Sequence, residues 1–386
     1  MKNKITCITL ILSIIAATTA YASVAGTDRL PQIDSTAVLS VEAGNVFTLE
    51  QAIEHALEHN KELKGIVGDI KKANIALKNA RDAKRMLGKT KDFPMVRDYD
   101  ITERAMNGYF VMQAEQVVEL LGRQKEQTAE KLKYDIEKLF YDIQLTKKRA
   151  KCTEEGIQRL EKQLEVEKLK IELGMSMDFV LNMVNIQKLT LENQLNTLNY
   201  ALDGYYALLR SKLDIAPSES INIAEQPLEY TEYTHKDSSE AYKLALEKRF
   251  DAFALKQRTD LLEFDFDLVS KYYTRGFKTY DNVKIDLAKA KNDYDAFQKG
   301  IEDSLKLLRE DIEIKQLDYK NKKSALETGE FNFRIAWLKY NLGVISKLEL
   351  QDERLKLMNL VTDEMSALQN YILAVKLYEI SYGCGY

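Results

Sequence analysis

The chain has 386 residues, 30% of them charged, only four prolines, and a formal net charge of −4. So much charge with so few helix breakers points away from a compact globule and toward long solvated helices. The slightly acidic balance, with no strongly basic stretch, excludes nucleic acid as a partner, because neutralising phosphates takes a basic surface.

The chain opens "MKNKITCITLILSIIAATTAYAS". Lys2 and Lys4 precede a short apolar run, and Ala20-Tyr21-Ala22 supplies a small-residue cleavage site, so residues 1–22 read as an export signal peptide. No later stretch approaches the roughly 20 apolar residues of a membrane-spanning helix. Residues 23–46 read as an extended N-terminal segment. Cys7 leaves with the signal; Cys152 and Cys384 remain, one in a helical run and one in the tail, and no structural disulfide is expected between them.

A first structural repeat is expected over 47–213. It starts with "TLEQAIEHALEHN" at 48–60, where Thr48 and Gln51 have the spacing of a capping box. Within it, His55 to His59 ("HALEH") matches the pattern of inverted zinc peptidases, and two histidines four apart do share a helix face. But His235 is the only other histidine, so the segment reads as a packing helix, and no metal, cofactor or enzymatic site is expected. After a short charged connection at 89–104, Glu103 to Leu173 reads as one continuous helix. Its seam is Ala129, Leu132, Ile136, Leu139, Ile143, Thr146, Ala150, Thr153, Ile157, Leu160 and Leu164, in alternating steps of three and four. Such a helix would run about 105 Å at 1.5 Å per residue, so it must pack along others of similar length. "LKIELG" at 169–174 ends it, and another helix follows over 179–213.

A linker at 214–237 carries two of the prolines, and a second repeat over 238–386 replays the first. "DSSEAYKLALEKR" at 237–249 aligns with 48–60: Asp237 and Glu240 take the capping places, and Ala52 and Ala56 recur as Ala241 and Ala245. The connection at 268–283, "LVSKYYTRGFKTYDNV", is aromatic, which fits a membrane-interface girdle and loop packing equally. A helix over 282–342 ends in "LKYNLG" at 338–343, and a last helix covers 348–380. Gly174 and Gly343 therefore sit where each hairpin reverses, in the left-handed conformation that glycine accepts at a helix end. The expected fold is mainly α: a duplicated pair of long antiparallel helical hairpins.

Two stretches carry a family resemblance. "FTLEQAIEHALEHNKELKGIVGDIKKANIALKNAR" resembles the opening of the TolC-like outer-membrane efflux channels, and "YNLGVISKLELQDERLKLMNLVTDEMSALQNYILAVKLYEISYG" resembles their closing hairpin. The resemblance implies a homotrimer whose hairpins close into an α-helical barrel, or tunnel, with a membrane β portion at one end and a tapering periplasmic gate at the other. It further implies a passive export conduit that works with a periplasmic adaptor and an inner-membrane pump. Carried over by position, Gly174 and Gly343 are adaptor-docking hairpin tips, and Tyr340, Glu349 and Asp352 form the pore constriction. Three copies of the two acids would make an anionic, cation-favouring throat.

The chain departs from that pattern in two ways. Ile345 stands where a family gate can carry an arginine, so a salt-bridged gate of that kind is not expected. Neither connection is long enough for two membrane strands of about 9–11 residues plus a turn, so the β portion is expected to be small or reduced. This leaves an alternative open: an extracytoplasmic coiled-coil spacer or adaptor element with no channel activity of its own.

Overall fold

A computed structural model describes residues 45–89, 99–234 and 236–385. The expected signal peptide, nearly all of the extended segment and His235 lie outside the described residues. In chain order the elements are β1 Asn45–Phe47, α1 Leu49–His59, α2 Lys61–Leu87, α3 Tyr99–Asn107, α4 Tyr109–Glu172 and α5 Asp178–Leu213; then β2 Ile221–Ile223, α6 Ser238–Lys248, α7 Phe250–Tyr272, α8 Lys278–Asn341 and α9 Lys347–Gly383. The duplication is therefore real: a short helix, a medium helix and a long hairpin, twice over. The two hairpin arms α4 and α8 are each 64 residues, about 96 Å of helix.

Each short helix is seated by two alanines. Ala52 and Ala56 of α1, like Ala241 and Ala245 of α6, are fully buried, because a small side chain lets a short helix lie close against the long ones. Around α1 the core gathers Leu132, Ile136 and Phe140 of α4, Leu209 and Leu213 of α5, and Ile221 and Ile223 of β2. Around α6 it gathers Ile301, Leu305 and Ile312 of α8 with Tyr371 and Tyr378 of α9. The seam of α4 behaves as its spacing predicts: Leu132, Ile136, Leu139, Ile143, Thr146, Ala150, Thr153 and Leu160 are buried, while Ala129, Ile157 and Leu164 are half-buried.

The two hairpins are joined along α4 and α9, which run antiparallel. Lys376 bonds Glu137, the Gln369 amide donates to Asp142 at 2.5 Å, Cys152 meets Asn359 at 3.2 Å and Arg354 meets Glu155 at 3.3 Å. As one partner's number rises the other's falls in step, so the register holds along the seam.

The linker is fastened at both ends. Its first part pairs as β2 in parallel with β1, Val46 opposite Asn222 and Phe47 opposite Ile223. Farther on, the buried Tyr371 hydroxyl donates to the Thr231 carbonyl at 3.0 Å and accepts from the Tyr233 amide at 2.9 Å. Tyr230 stacks on Tyr319 with centroids 4.9 Å apart.

Two expectations are corrected, and the small β portion is located. The helix foreseen over 103–173 is broken at Gly108, which adopts φ +93° between α3 and α4. A Cβ there would also come within 2.6 Å of Lys84 Nζ. The Thr48–Gln51 capping box forms, but Asp237 makes no side-chain cap bond, so the second box is absent. The strands among the described residues do not sit at the helical connections but at the junction of the N-terminal segment with the linker. The second connection is only residues 273–277, and α2 and α3 leave only residues 88–98 for the first.

Candidate functional site

The predicted site residues lie at or near the two hairpin turns, which are built alike. Gly174 has φ +70° and Gly343 φ +72°. In each turn the glycine amide donates three residues back, to Ile171 or Tyr340, at 2.9 Å. The next amide donates five back: Met175 to Lys170 at 2.7 Å and Val344 to Lys339 at 2.8 Å. That paired bonding satisfies helix-end carbonyls and needs a left-handed residue at the turn, which explains the repeated Leu-Lys-x-x-Leu-Gly phrase.

The turns differ in how they are fastened. At the second, Ser346 and Glu349 form a capping box: Ser346 Oγ accepts from the Glu349 amide at 3.2 Å, and Glu349 Oε2 accepts from the Ser346 amide at 2.7 Å. The backbone bond from Ser346, and then its side chain, hold the Glu349 carboxyl below the usual value. At the first turn the N-cap residue, Met177, offers no such bond. Instead Glu167, on α4, receives Lys170 at 2.6 Å and the Ser176 hydroxyl at 2.9 Å, and these bonds lower its pKa.

Asp352, one turn farther along α9, meets Arg159 of α4 side by side, Nε to Oδ1 at 2.6 Å and Nη2 to Oδ2 at 2.7 Å. Tyr340 gives its carbonyl to the second turn and leaves its ring partly exposed. Ile345 is half-buried and Asp178 is exposed in the first turn of α5. The structure thus brings Asp352 to the first hairpin and commits Glu349 to its own turn. Sequence reasoning missed Arg159, Ser346, Glu167 and Ser176. The Ser-x-x-Glu spacing of 346–349 was a visible signal; nothing in one sequence marks Arg159 as the partner of Asp352.

Apolar side chains stand out around both turns: Leu173, Met175, Met177 and Phe179 on one, Leu342 and Val344 on the other, each at least 68% exposed. The exposure continues along the hairpins. Val180, Met183, Ile186 and Leu189 recur every three residues on α5, and Leu307, Ile314, Leu317, Phe331 and Leu338 recur on α8 in helical steps. The outer arms thus carry apolar rows that the chain's own core does not cover.

The His55–His59 pair is packed within α1 and against β1. The rings stack at 4.3 Å, His59 Nδ1 lies 3.0 Å from the His55 carbonyl, and His55 meets Phe47 edge-on. Among the described residues no group of His, Cys, Asp and Glu is placed to hold a metal ion.

No protein-family model matches the chain, and no curated protein matches it by sequence. Solved structures do match its fold. A membrane protein from Pseudomonas aeruginosa superposes with a TM-score of 0.66 at 11% identity, covering 94% of this chain and 98% of that one. The CmeC outer membrane channel of Campylobacter jejuni gives 0.61 at 11% identity, covering 94% of each chain. The open-state MtrE outer membrane channel of Neisseria gonorrhoeae gives 0.63 at 14% identity, covering 90% of this chain and 94% of that one. The fold of the outer membrane channels is therefore shared over nearly the whole described chain, as the sequence resemblance implies.

Proposed function

We propose that this protein is an exported, passive efflux conduit: a homotrimer whose hairpins close into a tunnel, in the outer membrane with a periplasmic extension, serving a periplasmic adaptor and an inner-membrane pump. The observation that carries the reading is the pair of uncovered apolar rows on α5 and α8. With α4 and α9 already joined inside one chain, these outer arms are the surfaces left for neighbouring copies, and a head-to-tail contact between them closes into a ring. In that ring Gly174 and Gly343 mark the adaptor-docking tips, and Tyr340, Glu349 and Asp352 line the constriction. The energy for transport comes from the pump, and the wall itself carries no chemistry.

The test is single-channel conductance of the purified trimer in planar bilayers, with the double variant E349A/D352A beside it. Discrete cation-selective steps that lose selectivity in the variant support the conduit. Silence from a well-folded trimer removes the autonomous channel.

One observation favours the second reading, a spacer without channel activity of its own. Residues 273–277 leave no room for a pair of membrane strands of about 9–11 residues each.

A further inference from the structure

The end of the molecule opposite the hairpin turns has its own chemistry. Between α7 and α8 the chain reverses in five residues, with Gly276 at φ +98° and the Phe277 amide bonded to the Thr274 carbonyl at 3.2 Å. The aromatic residues there divide into two sets. Tyr280 packs inward on Phe266 with centroids 5.3 Å apart, and Tyr273 is half-buried. Tyr272 and Phe277 face out, 48% and 56% exposed, and Ile101 of the adjoining α3 is 54% exposed. The α3 contact is fixed by the Tyr272 hydroxyl bonding Glu103 at 3.1 Å and by the side-by-side pair of Arg104 with Asp265.

The same turn is basic in an acidic protein. Residues 271–278, "KYYTRGFK", carry Lys271, Arg275 and Lys278 and no acid. All three are exposed, and none forms an ion pair among the described residues.

We infer that the α7–α8 turn seats on the surface of a bilayer containing anionic lipid, lying on the membrane without crossing it. Crossing is excluded for this turn by its length, since a spanning strand takes about 9–11 residues. No described helix is long and apolar enough to cross either. What remains is the composition of an interfacial contact: two outward aromatic rings at the headgroup boundary, one of them tied by its hydroxyl to Glu103, flanked by three cations, unpaired among the described residues, that meet lipid phosphates. Seating without crossing belongs with the spacer reading, and in the conduit reading the bilayer would have to be crossed by other residues, so failure of vesicle binding and failure of conductance are separate results.

The experiment is vesicle flotation of the chain from Ser23 onward, using phosphatidylcholine alone and a three-to-one mixture with phosphatidylglycerol, at low and high salt. The wild type is expected to float with the anionic vesicles only and to be released by salt. The K271E/R275E/K278E variant is expected to lose about a hundredfold in partition, as removal of three surface cation contacts implies. F277A is expected to lose about tenfold, by withdrawing one ring from the boundary. A charge reversal at the other end, K339E/K347E, is expected to leave binding unchanged, and circular dichroism with size exclusion checks that each variant is folded. The inference is overturned if the folded wild type ignores anionic vesicles, which would leave a protein as the occupant of this end. It is equally overturned if neutral vesicles bind as well, or if the triple variant binds like the wild type.

Discussion

Arg159 and Asp352 are 193 residues apart in sequence, yet they meet in an ion pair, with one hydrogen bond from Nη2 to Oδ2, that ties the first hairpin to the second near their turns. The Asp352 side chain is 37% exposed, so solvent screens much of the pair. A double-mutant cycle of R159A and D352A is expected to give a coupling of about 1 kcal/mol in urea unfolding. Zero coupling would show that the pair adds nothing to the seam.

The same pairing bears on selectivity. Arg159 already compensates the charge of Asp352, whereas Glu349 faces amide and hydroxyl groups and keeps its full charge. In the proposed conduit E349A is expected to lower cation preference more than D352A does. Reversal potentials in asymmetric salt measure this directly, and an equal or opposite ranking would count against the assignment.

The turn glycines are held by backbone conformation and not by crowding, since a Cβ at Gly174 or Gly343 would meet nothing within 4 Å. Alanine at either is expected to cost about 1 kcal/mol, the penalty for a left-handed residue with a side chain. Gly68, inside α2 and equally open, is the control: G68A is expected to stabilise by about 0.5–1 kcal/mol. Thermal unfolding of the three variants should separate by sign.

Acid should loosen the second turn. The folded pKa of Glu349 lies below its ordinary value, so its cap contribution is fully present above that ordinary value and is lost as pH falls through the folded one. Hydrogen exchange of the first α9 amides is expected to speed up relative to the rest of α9 on going from neutral pH to below about 4. S346A should show the faster exchange already at neutral pH, and no difference between S346A and wild type would dismiss the cap.

Deeper in the seam, Glu137 is buried and accepts from both Lys376 and the Tyr141 hydroxyl. K376M strips the cation from a buried carboxylate and is expected to destabilise by about 2 kcal/mol. E137M/K376M removes both charges and should recover most of that loss. A double variant no better than the single would show that the pair's attraction, and not the stranded charge, sets the cost.

Much of this architecture was legible because it rests on periodicity and on glycine. The α4 seam, the bounds of α5 and α9 and the two turns followed from apolar spacing and from Gly174 and Gly343. The break at Gly108 did not, because the apolar pattern runs across it without a proline; the Asn107-Gly108 dipeptide was the available signal. The second cap failed because Asp237, with the right chemistry, does not aim its carboxylate at the helix. Partnerships across the seam, Arg159 with Asp352 or Glu137 with Lys376, depend on the register between two separate hairpins. A single sequence carries no record of that register.

The unequal fastening of the two turns has a mechanical meaning. Glu167 rivets the first turn to the arm that enters it, and Ser346 with Glu349 rivets the second to the arm that leaves it. Those arms are α4 and α9, the two already bolted together. Both turns are thus anchored through the α4–α9 pair, so a load applied at either turn passes straight into the seam between the two hairpins.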